Sequence, residues 1–324
     1  MRNTLGCLAM ACAVFPLLVV GQTFPTKPIR IVVPFPPGGA DITARQVAPK
    51  MQEDLGQPII IENRAGANGL IGTEYVTKQS PDGYTLLWTA NNPIVTGPVT
   101  TPNETHYDSN RDLTHISIIL TGVVVLATSG TLPVNSLREF IDYAKKNPGK
   151  LSYASVGVGS SQHIDGEIIK KRTGIDMVHV PYKGFGQVLP ELVAGRVQLA
   201  SLAYTTALPQ IASGKVKIVG VTLKPYAKLP GVPVIEEVLG GGYERMAAWS
   251  ASLHGPANIP RPVVSRIYAS LSKVLAVGTD LRNGFENDGF IVNLTTPEVF
   301  TAEVREALLR TARLLKESGV KAEE

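Results

Sequence analysis

The chain has 324 residues, 44% of them hydrophobic and 18% charged, a composition that excludes intrinsic disorder and leaves length for two domains. Lys and Arg total 31 against 27 Asp and Glu, an excess too small and too scattered to bind nucleic acid or an anionic membrane surface. Both cysteines, Cys7 and Cys12, fall within the first 21 residues, so the remainder forms no disulfide and does no thiol chemistry.

Met1–Gly21 reads as a secretory leader. Arg2 supplies the positive start, Leu5 to Val20 the apolar stretch and Val19-Val20-Gly21 the small-residue cleavage site. Its removal takes away one charge, Arg2, and leaves 30 basic against 27 acidic residues, or +3. Cys12 follows Leu8-Ala9-Met10-Ala11, but the Leu is one place too far away for a lipoprotein box. No later stretch is long and apolar enough to span a bilayer. The mature chain is therefore expected to be exported, soluble and monomeric.

Ile29 to Val33 reads as a buried strand. Pro34-Phe35-Pro36-Pro37-Gly38-Gly39-Ala40-Asp41 stops it, and Ile42, Ala44, Val47 and Met51 then recur at helical spacing, with Asp41 expected as N-cap. A strand, a glycine turn and a helix start make a seat for an anion, most simply a carboxylate. The glycines admit close approach, and the helix start offers unpaired N–H groups. The same residues also fit a plain tight connection. Val180-Pro181-Tyr182-Lys183-Gly184-Phe185-Gly186 repeats the order ahead of a helix from about Gln187. Two lobes presenting such turns to one cleft would grip an anion from both sides.

Ile59-Ile60-Ile61 is a second strand. Asn63-Arg64-Ala65-Gly66-Ala67-Asn68-Gly69 opens a helix running to about Gln79, and Tyr84 to Trp88 is a third strand. Repeated βα units imply a parallel sheet with helices on both faces, and ligands collect at the carboxyl ends of its strands. The Phe35–Asp41 and Ala65–Gly69 turns and Thr89-Ala90-Asn91-Asn92 lie at such ends. Asn92 to Asp112 reads as a long excursion, and the β-branched run Ile116 to Thr128 as the first crossing between lobes.

A second alternating set follows. Ser136 and Glu139 form a capping box for a helix ending at Asn147-Pro148-Gly149. Leu151 to Ser155 is a strand, and Val156 to Ser161 turns into a helix carrying Ile164, Ile168 and Ile169. Met177 to Val180, Val197 to Leu202 and Val216 to Val221 are further strands, and Ala247 to His254 is the return crossing. Helices over Val263 to Val277 and Pro297 to Glu317, the latter capped by Thr296, end the chain. The expected division is residues 22–123 and 252–324 in one lobe, 124–251 in the other.

Signals for turnover are weak. Gly157-Val158-Gly159 resembles the start of a dinucleotide fingerprint, but Gln162 stands where the third glycine belongs. No Gly-x-Ser-x-Gly elbow or P-loop occurs. His106, His115, His163, His179 and His254 lack metal-ligand spacing and read as structural. An arrangement assembled only in three dimensions stays open. No cofactor or metal is expected.

Four motifs carry a family resemblance. They are Ile29-Arg30-Ile31-Val32-Val33-Pro34-Phe35-Pro36-Pro37-Gly38-Gly39-Ala40-Asp41, Glu62-Asn63-Arg64-Ala65-Gly66-Ala67-Asn68-Gly69, Ser80-Pro81-Asp82-Gly83-Tyr84-Thr85-Leu86-Leu87 and Val180-Pro181-Tyr182-Lys183-Gly184. With Leu151 to Ser155, Ser160 to His163 and Leu229 to Pro233, they resemble, in order along the mature chain, the Bug (TctC) receptors of tripartite tricarboxylate transporters. The resemblance implies an α/β periplasmic binding protein of the second type. This is a two-lobed flytrap, each lobe a mostly parallel sheet flanked by helices, with two crossovers. It implies periplasmic capture of a small carboxylate and delivery to one large and one small membrane subunit.

By the same resemblance one carboxylate is expected near Phe35, Gly39, Ala40, Asp41, Ala67, Asn68 and Gly69, with Thr89 beside them. Ser155, Gly157, Ser160, Ser161, His163, Lys183, Gly184, Ser201 and Tyr204 are expected to read the rest. Many relatives carry an acidic residue where this chain has Ser201-Leu202-Ala203-Tyr204, and its absence favours a dicarboxylate over an amino acid. Leu202, Tyr204 and Trp249 would also tolerate a flat aromatic body such as terephthalate, although Leu202 fits a core position equally well. Trp88 and Trp249 read either as core or as reporters of lobe closure. The competing classes are an exported α/β enzyme acting on a carboxylate and a carboxylate receptor feeding a signalling system.

Overall fold

The computed structural model describes residues 24–182, 185–222, 229–240 and 250–321. Lys183, Gly184 and Trp249, and the leader, lie outside them.

The chain opens with β1 (Ile29–Val33), α1 (Gly39–Leu55), β2 (Ile59–Asn63), α2 (Leu70–Thr77) and β3 (Thr85–Thr89). The excursion that follows is helical. A π-helical turn at Asn92–Thr96 runs into α3 (Gly97–Thr100), and α4 (Ser109–Asp112) precedes β4 (Leu113–Gly122). Ile94, Val95 and Tyr107 are buried there, so the segment fills core rather than looping into solvent. Then come β5 (Val124–Ser129), α5 (Leu137–Lys146), β6 (Leu151–Ser155), α6 (Ser161–Thr173), β7 (Met177–Pro181), α7 (Phe185–Val193), β8 (Leu199–Ala203), α8 (Tyr204–Ala212), β9 (Val216–Val221) and α9 (Ile235–Leu239). The chain closes with β10 (Ser250–Pro256), α10 (Arg261–Val274), α11 (Asp280–Asn287), β11 (Phe290–Val292) and α12 (Pro297–Ser318).

The strands form two sheets, ordered β11-β4-β10-β3-β1-β2 and β7-β6-β8-β5-β9. β1 pairs in parallel with β2 and β3, and β6 with β7 and β8. Antiparallel pairing comes from the strands around the crossings. β10 runs against β3 and β4, and β5 against β8 and β9. The first crossing is a single residue, Val123, between β4 and β5. On the return, β10 joins the first sheet from Ser250, which pairs with Thr121.

Apolar clusters cover both faces of each sheet. Val33, Leu86, Trp88 and Ile116 pack with α1 and α10 on one face of the first sheet; Val32, Leu87 and Ile94 pack with Phe300 and Val304 of α12 on the other. The second sheet is covered by Phe140, Ile164 and Ile168 on one side and by Val188, Leu192 and Ala207 on the other. Leu314, near the far end of α12, belongs to the second sheet's core. There Arg172 of α6 holds Glu317 by two bonds of 2.7 and 3.2 Å. One helix of 22 residues, about 33 Å long, therefore reaches from the first lobe to the second.

Candidate functional site

At the carboxyl ends of β1, β2 and β3 two helix starts lack a side-chain cap. The N-cap of α1 is Gly38, at φ +150°, rather than the expected Asp41. The N–H groups of Gly39, Ala40 and Asp41 lie in the first turn, where no intrahelical acceptor exists. The first such bond is Ile42 N–H to Gly38 O, 2.8 Å. α2 follows Gly69 and is likewise uncapped by any side chain. Before it Ala67, Asn68 and Gly69 have φ of +42°, +51° and +97°, a left-handed turn closed by the Gly69 N–H to Gly66 O at 2.9 Å.

The two starts are joined. A Cβ at Gly69 would lie 3.0 Å from Phe35 Cζ and 3.1 Å from Pro93 Cγ, so the second turn sits against the first. Asn92 Nδ2 donates to Asn68 O at 2.9 Å, and Asn63 Nδ2 donates to Phe35 O and to Asp41 Oδ1, each at 3.0 Å. Asp41 is 4% exposed and also accepts from Arg45 Nε at 2.9 Å. Burial alone would raise its pKa, but the Arg45 and Asn63 bonds outweigh that and hold it below the usual value. Asp41 therefore fastens the seat from beneath. Arg64 is also committed, to Glu62 and to the face of Tyr75, with its guanidinium 3.6 Å from the ring centre. Among the described residues the Gly39, Ala40 and Asp41 N–H groups remain as donors at the seat.

Across from it lies the loop between β6 and α6. A Cβ at Gly159 would be 3.9 Å from Thr100 Cβ of α3, which brings this loop of the second lobe against the first. Ser155 was expected to face a ligand. It is 1% exposed, and its hydroxyl bonds His179 Nε2 at 2.6 Å and the Gly157 N–H at 3.1 Å. Ser160, not Ser161, caps α6: its hydroxyl accepts from His163 N–H and donates to Gly157 O. Ser161 and His163 remain half-buried in the first turn. Ser201 and Tyr204 are buried, and the Tyr204 N–H donates to Val123 O at 2.8 Å. Leu202 is core. Thr89 is fully buried with a hydroxyl that has no partner.

The sequence profile of the tripartite tricarboxylate transporter family receptor (TctC) matches residues 43–320. The chain belongs to this receptor family. Solved structures agree. The periplasmic binding protein BugD shares 32% identity at a TM-score of 0.74, over 92% of this chain and 99% of that one. The R. palustris protein Rpa4515, solved with adipate, shares 29% at 0.78, over 92% and 99%. MatC from Rhodopseudomonas palustris, solved with malate, shares 28% at 0.73, over 90% and 100%. The two-lobed periplasmic-binding-protein fold follows. Among the described residues no helix is long and apolar enough to cross a membrane.

In this TctC receptor, sequence reasoning missed the grouping of the histidines. His163 and His179 stack in parallel, centroids 3.9 Å apart and rings 5° from coplanar. His179 stacks in turn on Tyr153, its register partner across β6 and β7. His115 Nδ1 and His254 Nδ1 are 2.8 Å apart inside the first lobe. The one signal available in the sequence was position: Tyr153 and His179 each stand third in adjoining five-residue strands.

Proposed function

We propose that the protein is a periplasmic receptor that captures a small dicarboxylate between its lobes and hands it to the membrane subunits of a tripartite transporter. In this reading the lobes part at Val123 and near Ser250. The observation that carries it is the pair of uncapped helix starts, α1 and α2, joined through Phe35. They offer backbone N–H groups at the positive end of a helix dipole with no side chain occupying them. Ser201-Leu202-Ala203-Tyr204, the segment expected on the opposite wall, contains no carboxylate, which suits a second anionic group and disfavours an amine. Adipate and malate, seen in two relatives, are both dicarboxylates. An enzyme reading draws little support from Ser155, whose hydroxyl is bonded to His179 but is also tied to the Gly157 backbone.

The test is a thermal-shift screen of the mature protein over mono-, di-, tri- and aromatic carboxylates, terephthalate included. A ligand at about 100 times its dissociation constant adds about 2.7 kcal/mol of stability. Recovery of the unchanged ligand on denaturation supports a receptor, and a chemically altered ligand supports the enzyme. Absence of any shift across the panel overturns the carboxylate reading.

A further inference from the structure

We propose that Tyr153 and His179 are positioning residues that hold the His163 ring where the Gly159 N–H keeps it a neutral imidazole protonated on Nε2, so that this N–H is offered to an acceptor on the ligand, a carboxylate oxygen being the class that fits. The inference rests on the carboxylate reading of the cleft and assigns one wall of it.

The tautomer follows from the backbone. Gly159 N–H donates to His163 Nδ1 at 3.1 Å, so Nδ1 must present its lone pair and the proton of a neutral ring must sit on Nε2. Nε2 has no partner among the described residues, and the ring is half-buried in the first turn of α6. A second proton would have to enter at Nδ1, setting N–H against N–H. It would also place a charge 3.9 Å from the His179 ring.

The stack is built in. Tyr153 and His179 are cross-strand partners, with ring centres 5.0 Å apart. α6 can ride on Tyr153 because residue 166 is glycine: a Cβ there would come within 2.2 Å of the tyrosine ring. His179 Nε2 meets Ser155 Oγ, which also binds Gly157 N–H, so one imidazole fixes both the His163 ring and the loop beside it. The charged neighbours are Glu167 and Lys170 of α6. Tyr153 O–H and Lys170 both donate to Glu167 Oε1, at 2.7 and 2.9 Å, so that oxygen is already engaged. Burial lowers the pKa of both imidazoles, that of His179 to about 4, and a proton on His163 would count further against one on His179.

Long-range proton–nitrogen NMR of the ligand-free, 15N-labelled protein reads the tautomer, His163 being assigned against His163→Gln. The expected result at about pH 7 is a neutral ring with its proton on Nε2; a proton on Nδ1 or a cationic ring overturns the proposal. Binding of adipate and malate is then measured from about pH 8 to pH 6 for the wild type, His179→Phe and His179→Ala. The phenylalanine keeps a stacked ring and loses the Ser155 bond, a loss of about two- to threefold in affinity, whereas alanine loses both and costs about tenfold. In His179→Ala the His163 ring loses its stacking partner and opens to water, so the burial that lowers its pKa is relieved, and affinity rises more steeply as pH falls than in the wild type. A parallel profile in both proteins overturns the proposal. If His179→Ala does not fold, the tautomer and the His179→Phe profile decide. The NMR arm uses no ligand, so failure of both dicarboxylates to bind counts against the carboxylate reading and leaves the tautomer result standing.

Discussion

At the scale of single residues the seat depends on the absence of side chains. Gly69 sits at φ +97°, and a Cβ there would press on Phe35 and Pro93. Gly69→Ala is expected to cost about 1–3 kcal/mol in backbone strain and to weaken dicarboxylate binding at least tenfold by shifting the turn, measured by calorimetry. Affinity equal to wild type would remove the turn from the site. Trp88 illustrates the opposite case. It is fully buried, and its Nε1–H donates to Thr43 Oγ1 at 3.2 Å. Its ring is therefore insulated from the cleft. Trp88→Phe is expected to lower stability by about 1–3 kcal/mol through the lost bond and lost volume. Any ligand-induced change in fluorescence should survive that substitution and vanish with Trp249→Phe.

Among the elements, α12 has the most unusual position. Its first turns, through Phe300 and Val304, belong to the first lobe's core, and Leu314 belongs to the second's. Its far end meets α6, whose own first turn carries Ser161 and His163. Any rotation of the second lobe must therefore pivot about this contact or break it. Leu314 is 1% exposed and Leu309 is 70% exposed. Leu314→Ala is expected to cost about 2–5 kcal/mol, and Leu309→Ala less than about 0.5 kcal/mol, in denaturant unfolding. Equal effects would mean that the helix end is not docked.

Across the whole molecule the histidines set the acid limit of stability. His115 is held near 4 by burial, and His254 well below its usual value by burial and by the neighbouring His115. Between about pH 6.5 and pH 4 the unfolded chain binds protons that the folded chain refuses. Stability is thus complete above about 6.5 and falls as pH drops, by about 3 kcal/mol for His115 alone. Asp54, held near 2 by Lys273 and Arg266, loses its contribution only below about 4, so the upper window reports the histidines. Urea melts at steps between pH 7.5 and 4.5 should show this slope, and a flat profile would contradict the burial of the pair. Closure is the second global property. On the proposed reading a bound dicarboxylate favours the closed state, so saturating ligand should reduce the radius of gyration in solution scattering. Tight binding without compaction would count against a flytrap.

Some of this was determined by the sequence alone. The alternation of apolar runs with glycine turns and helical spacing is local, and it located β1, β6, β9 and α12, the Ser136 and Thr296 caps and the glycine turn before α1. Backbone preference and side-chain period act over a few residues, so these features need no partner to be legible. Other features were decided only by the fold. Asp41 reads as a cap by type, but a bond from Arg45 one turn on in the same helix and a tertiary bond from Asn63 take its carboxylate, and Gly38 stands at the N-cap instead. Ser155 reads as a ligand contact by position, and only the pairing of β6 with β7, which seats it diagonally from His179, reveals the bond between its hydroxyl and that imidazole. The two histidine pairs join residues 16 and 139 positions apart, a separation that no local pattern encodes. Which polar groups stay free for a ligand depends on which ones the rest of the chain has already bound, and that accounting closes only in three dimensions.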